Sequence, residues 1–184
     1  MTSHRTEPDG MRFTPDRYEE LLVGLLDDGY EFVGYGDPGP REVILRHDVD
    51  LSPERALAMA RIEADLGVTA TYFFLLTTPV YNPIAPRHRR AIEGIESLGH
   101  DVGLHFDTHQ AWDDRPGRRS VVETVTRELA ALDRLVDDPV DVVSFHVPPD
   151  WVLDRSFEGF TNAYAPRYFS EITYLSDSNQ KWRG

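Results

Sequence analysis

Residues 43–50, VILRHDVD, run from three consecutive apolar side chains into a cluster of charged and titratable groups. An unbroken apolar run of this kind suits a strand buried on both faces, as in a parallel sheet. The pattern recurs twice. DVGL at 101–104 leads into His105, Phe106, Asp107, Thr108 and His109, and DVVSF at 141–145 leads into His146. In parallel α/β sheets, ligands and catalytic groups gather at the carboxyl ends of the strands. Segments far apart in sequence would therefore bring two Asp and three His to one mouth, a collection suited to a mononuclear metal site built for hydrolysis.

The stretches between these strands read as helices. Thr14 before Pro15, and Ser52 before Pro53, combine a capping hydroxyl with proline at the first helical position. Tyr18, Leu21, Leu22, Leu25 and Leu26 recur at helical spacing up to Gly29, and a second helix is expected over about 54–66, ended by Gly67. ATYFFLL is the next buried strand, with Thr77 at its end. Helices over RHRRAIEGIESL and over about 120–136 follow, and ITYLS at 172–176 is a last candidate strand. Strands alternating with helices through short links indicate βαβ units. Residues 1–12 lack periodicity and read as a loose terminus, leaving 13–184 as a single domain.

With 184 residues and 40% hydrophobic content, the chain suits one globular domain. It carries 19 basic against 32 acidic side chains, a formal net charge of −13, which makes nucleic acid and anionic membranes poor partners. No apolar run approaches the ~20 residues that span a bilayer. The opening MTSHRTEPDGMRF has no basic segment followed by an apolar one, so a cytoplasmic location is expected. With no Cys, disulfides, thiolate zinc sites and a thiol nucleophile are excluded.

His105 and His109 form the sharpest pair for metal binding. A spacing of four places two imidazoles on one side of a helical turn, where both reach one ion. Asp48 and Asp50 could divide the labour of base and ligand, although Asp50 could equally cap the helix near Ser52, and Asp48 could make an Asx-turn. Two carboxylates beside a dry strand end are costly unless a cation compensates them. His47 points away from Asp48 if strand geometry persists. His100 reads as structural or solvated, and His88 as part of a solvated basic face.

ILRHDVD, ADLGVTATYFFLL, LGHDVGLHFDTH and SFHVPP together resemble the metal-dependent polysaccharide deacetylases, in the branch with HDVD in its first motif. The resemblance runs over about 43–182. It implies a distorted (β/α) barrel of about seven parallel strands, incomplete at its C-terminal end, and hydrolysis of N-acetyl groups on a sugar or glycan. It also implies a divalent metal, zinc first, with cobalt, manganese, iron or nickel as alternatives. By motif position Asp48 would be the base. Val49 falls on the usual ligand position and cannot ligate, so Asp50 is assigned there, with His105 and His109 as the other ligands. His146 stands where an Arg that steadies the base is usual, which implies a catalytic role. Thr77, Asp177 and Trp182 are candidates for substrate contact. The resemblance also implies a catalytic His on a final strand. No His follows His146 in these 184 residues, so slow turnover and an unpaired sheet edge are expected of them.

The expected function is metal-dependent hydrolysis of an amide C–N bond, as a carbohydrate N-deacetylase. A catalytically silent glycan-binding or scaffold protein of the same fold is the alternative. A non-haem iron oxygenase ranks last, because two His and one carboxylate also make an iron facial triad.

Overall fold

The structure, a computed structural model, describes residues 14–176. The expected loose terminus at 1–12, Asp177 and Trp182 lie outside the described residues. Helix α1 (Pro15–Asp27) starts as its sequence dictates, with the Thr14 hydroxyl accepting the Arg17 N–H. Strands β1 (Glu31–Phe32) and β2 (Glu42–Val43) form a two-stranded parallel ribbon. The main sheet begins with β3 (Arg46–Val49), followed by α2 (Pro53–Asp65) and β4 (Thr71–Leu75). Then come α3 (Pro86–Ser97), β5 (Asp101–Asp107) and the short α4 (Thr108–Ala111). Helix α5 (Arg118–Leu132), β6 (Val142–His146), β7 (Thr161–Asn162) and α6 (Pro166–Phe169) are the last elements among the described residues. The five strands β3 to β7 lie in sequence order, all parallel. This is the expected α/β class. Among the described residues the barrel is not closed.

Three boundaries differ from the sequence reading. The run expected as one strand divides, because Val43 still pairs with β1 while the Leu45 carbonyl already accepts the Thr71 N–H of β4. Ile44 and Leu45 are the crossing point and are only half-buried. Helix α5 stops at Leu132, where the Asp133 carboxylate takes the Val140 N–H and turns the chain. ITYLS forms no strand, only a single bridge at Ser176. Gly99, at φ 89°, ends the α3 turn in a conformation that costs any other residue free energy.

The register assigns two different faces to the sheet. Asp48, Phe73 and Gly103 are paired across β3, β4 and β5, and His105 pairs with Ser144, so Arg46, Asp48, Phe73, Gly103, His105, Ser144 and His146 share one face. The opposite face carries the apolar alternates. Leu104, Phe106, Val143 and Phe145 pack under Val121, Val125 and Leu129 of α5. Val49, Tyr72 and Phe74 pack under Ala56 and Ala60 of α2 and Ile92 and Ile95 of α3. Each fully buried large apolar side chain contributes about 1.5–3 kcal/mol. The polar face is partly roofed by aromatic residues: Tyr35 lies edge-on to Phe73 and to Tyr168, and the Tyr168 hydroxyl donates to the Gly36 carbonyl at 2.9 Å.

One charged group sits within the helix-covered side. Glu63 of α2 is fully buried and accepts from the Tyr18 hydroxyl, from the Tyr72 hydroxyl at 2.7 Å and from His47 Nε2 at 2.6 Å. Burial works against its ionisation. The hydrogen bond and charge of His47, then the two hydroxyls, outweigh burial and hold the carboxyl below the usual range. His100 Nδ1 lies 3.6 Å from the same carboxylate and accepts the Ala70 N–H. His100 is therefore structural and buried. His88 is buried as well, not on a solvated face, because its ring ties the Asn82 backbone to the first turn of α3.

Candidate metal centre

The polar face ends in a cluster at the carboxyl ends of β3, β5 and β6. His105 Nε2 lies 3.3 Å from Asp50 Oδ1, His146 Nδ1 lies 3.2 Å from the same oxygen, and the two imidazole nitrogens are 3.2 Å apart. Asp50 arrives in the link between β3 and α2, His105 from within β5, and His146 as the last residue of β6. Asp50 Oδ1 is buried and has no hydrogen-bond partner despite two nitrogens beside it. A buried oxygen without a donor is costly unless a hydrogen bond or a cation compensates it.

The tautomer of His105 fits a cation. Its Nδ1 lies 3.0 Å from the Ser144 carbonyl oxygen, which can only accept, so Nδ1 carries the proton and Nε2 presents a lone pair to the cluster. The spacing fits as well, since tetrahedral zinc with bonds of ~2.0–2.1 Å sets its ligand atoms about 3.3 Å apart. Asp50, His105 and His146 therefore have the chemistry and spacing to hold one divalent ion.

His109 is placed differently from the sequence expectation. Strand β5 continues to Asp107, so His105 is a strand residue and the pair does not share a helical turn. The Asp107 carboxylate accepts the His109 N–H at 2.9 Å and starts α4 there, with the His109 side chain exposed. Among the described residues, His146 and not His109 joins the converging donors.

Asp48 lies beside the cluster under tight control. Arg46 Nη2 donates to Asp48 Oδ2 at 2.6 Å, to Ser144 Oγ at 2.6 Å and to the Tyr164 hydroxyl at 2.9 Å. The guanidinium stacks 4.7 Å from the Tyr164 ring centroid and 5.4 Å from that of Phe73. Burial works against ionisation of Asp48, but the Arg46 charge, then His105, and hydrogen bonds from Arg46 and Ser144 hold its carboxyl below the usual range. Arg46 stays charged for the matching reason: burial opposes it, and Asp48 together with Tyr35, Tyr164 and Tyr174 outweighs burial.

Arg46 and Ser144 were missed by the sequence reading. Arg46 pairs with Asp48 from the same strand, the kind of contact the resemblance placed at the His146 position. Ser144 links the two halves of the site, its carbonyl on His105 and its hydroxyl on Arg46. The signal was the period-two alternation backward from Asp48 and from His146. Thr77 is exposed two residues beyond β4, at the same end of the sheet.

Among solved structures, the chain is similar to the deacetylase PplD of Streptococcus pyogenes in complex with acetate. The TM-score is 0.54 at 15% identity, over 77% of this chain and 68% of that one. It is also similar to a family 4 carbohydrate esterase from Bacillus anthracis, with a TM-score of 0.46 and 17% identity over 67% of this chain and 56% of that one. The first likeness gives the fold as polysaccharide deacetylase-like. No family model matches the sequence, and neither does any curated protein. Among the described residues no helix is long and apolar enough to cross a membrane.

Proposed function

We propose that the protein is a metal-dependent hydrolase that removes an N-acyl group from a sugar or glycan. Asp50, His105 and His146 hold the ion, with zinc the first candidate, and Asp48 is the base. The observation that carries this reading is the buried, unpartnered Asp50 oxygen with two imidazole nitrogens at 3.2 and 3.3 Å. When bound there, a divalent ion supplies Lewis-acid polarisation of the acyl oxygen and lowers the pKa of water, to ~7 in favourable zinc sites.

The chain's own residues then move the proton. Asp48, kept ionised by Arg46, accepts a proton from the attacking water as the new C–O bond forms. The same carboxyl returns that proton to the departing nitrogen as the C–N bond breaks, leaving a carboxylic acid and an amine. The acid's remaining proton then passes to the amine through solvent to give carboxylate and ammonium. A carboxyl held below its usual pKa is a ready donor once protonated, which suits the second step. General-base assistance of this kind accelerates a reaction by about 10²–10⁴-fold. The donor set would also suit iron, but the fold's likeness to a deacetylase and the Arg46-held carboxylate favour hydrolysis.

Elemental analysis of the purified protein, coupled to acetate release from N-acetylated oligosaccharides, tests the proposal. About one divalent ion per chain is expected. His146→Ala and His105→Ala should lose it, while His109→Ala and Asp48→Asn retain it. Asp48→Asn should abolish turnover. Loss of metal in His109→Ala with full retention in His146→Ala would overturn the ligand assignment.

A further inference from the structure

The residues that follow two members of the cluster are apolar and point into solvent. Leu51 follows Asp50 and is 72% exposed, and Val147 follows His146 and is 63% exposed. Consecutive Cα atoms are 3.80 Å apart across a trans peptide, so the backbones of both residues adjoin those of Asp50 and His146, whose side chains meet at 3.2 Å. A third joins them through Tyr81. The Tyr81 hydroxyl donates to the Val49 carbonyl at 2.7 Å and accepts the Leu75 N–H at 2.8 Å, which fastens the loop after β4 to the end of β3. Val80, next to Tyr81, is 53% exposed, and Ile84 in the same loop is 70% exposed. Of the five most exposed large apolar side chains among the described residues, four thus lie in loops leaving β3, β4 and β6, at the end of the sheet that carries the cluster.

Val147 bears a second, independent mark. Its φ is 43°, a left-handed conformation that is an outlier for a β-branched residue. It also precedes Pro148, which pushes the residue before it toward extended backbone, away from the conformation Val147 adopts. Backbone strain of this kind persists where surrounding structure imposes it, and it concentrates at functional sites. Here it turns an apolar side chain outward beside His146.

Resting on the hydrolase reading above, we propose that Leu51, Val80 and Val147 form an apolar lip that receives the alkyl part of the substrate's acyl group. The preferred substrates are then sugars N-acylated with chains longer than acetyl. The lip lies next to the residues that would act on the acyl carbon, so the group it meets is the substituent on that carbon. A net charge of −13 argues against an anionic bilayer as the occupant.

The test is an N-acylglucosamine series, acetyl, butyryl, hexanoyl and octanoyl, presented to the metal-loaded full chain. Amine release gives kcat/KM, and calorimetry gives affinity. A fully buried methylene contributes about fourfold. A lip half open to water should give about twofold, so hexanoyl should exceed acetyl by roughly 16-fold over four methylenes. Leu51→Ser and Val147→Ser should flatten this ratio toward one with metal content unchanged. Val147→Gly, which relieves the left-handed strain, should do the same in a chain at least as stable. Turnover with no dependence on acyl length overturns the lip and leaves the hydrolase reading standing. Affinity rising with chain length but no amine release from any member overturns the hydrolase reading and supports the lip. A preference that follows an octyl group on the sugar's anomeric oxygen, and not the acyl chain, overturns the acyl assignment.

Discussion

Replacing Glu63 by Gln keeps the shape of the side chain and removes the charge on which Tyr18, Tyr72 and His47 converge. The carboxylate offers acceptors on both oxygens, whereas the amide must turn an NH₂ group toward at least one of these donors. Two charge-assisted bonds are weakened or lost, each worth about 1.5–3 kcal/mol. The expected loss is about 3–6 kcal/mol, and for a chain of this length that lowers Tm by roughly 6–24 °C. The pH dependence has a definite sign. The carboxyl is held below its unfolded value of 4.5, so its contribution is fully present above that pH and is lost as pH falls through the lower, folded value. The difference between wild type and Glu63→Gln should therefore be largest near neutrality and shrink in acid. Chemical denaturation of both proteins at neutral and acidic pH measures it. A loss below about 1 kcal/mol at neutral pH would mean that the buried carboxylate contributes no more than an ordinary neutral hydrogen bond.

Glu128 should behave in the opposite sense. Burial, then the Asp107 charge, pushes its carboxyl up to about 7, and its Oε2 is buried without a partner. The neutral form is favoured in the fold, so stability should fall as pH rises from about 4.5 through 7. Glu128→Gln should then stabilise the protein at pH 8 by on the order of 1–3 kcal/mol, with little effect at pH 4; equal gains at both, read from thermal melts, would rule the effect out. Gly103→Ala should destabilise, because the added Cβ would lie 2.5 Å from two atoms of the buried Phe73 ring and 3.2 Å from the Val142 carbonyl oxygen. Overpacking of this kind costs about 1–3 kcal/mol, and a denaturation midpoint unchanged from wild type would contradict it.

What the sequence made legible was local. Thr14 with Pro15 and Ser52 with Pro53 start helices because a hydroxyl and a fixed φ act within one turn, and both hydroxyls accept the N–H three residues on. The fully buried β4 was equally plain from its composition. Features that depend on register were not. Arg46 and Ser144 are 98 positions apart, and their contact exists only because β3, β4, β5 and β6 align as they do. His109 was read with His105 because a four-residue spacing was given helical meaning, whereas the Asp107 carboxylate fixes the change from strand to helix between them. His146 was read from the sequence as a candidate catalytic residue, but its position against Asp50 is a property of the assembled sheet.

Strand β4 separates β3 from β5, buries all five of its residues and supplies no donor to the cluster. It therefore acts as a spacer on which the site is closed in time as well as in space. As the chain emerges during synthesis, Asp50 appears first, His105 can align only after β4 has docked, and His146, 41 positions later, comes last. Until β6 pairs with β5, Asp50 and His105 alone make a weak, two-sided grip. On the proposed ligand assignment, capture of the ion then reports that the fourth strand of the sheet is in register. A nascent chain halted before β6 should bind the ion poorly even with β3, β4 and β5 already paired.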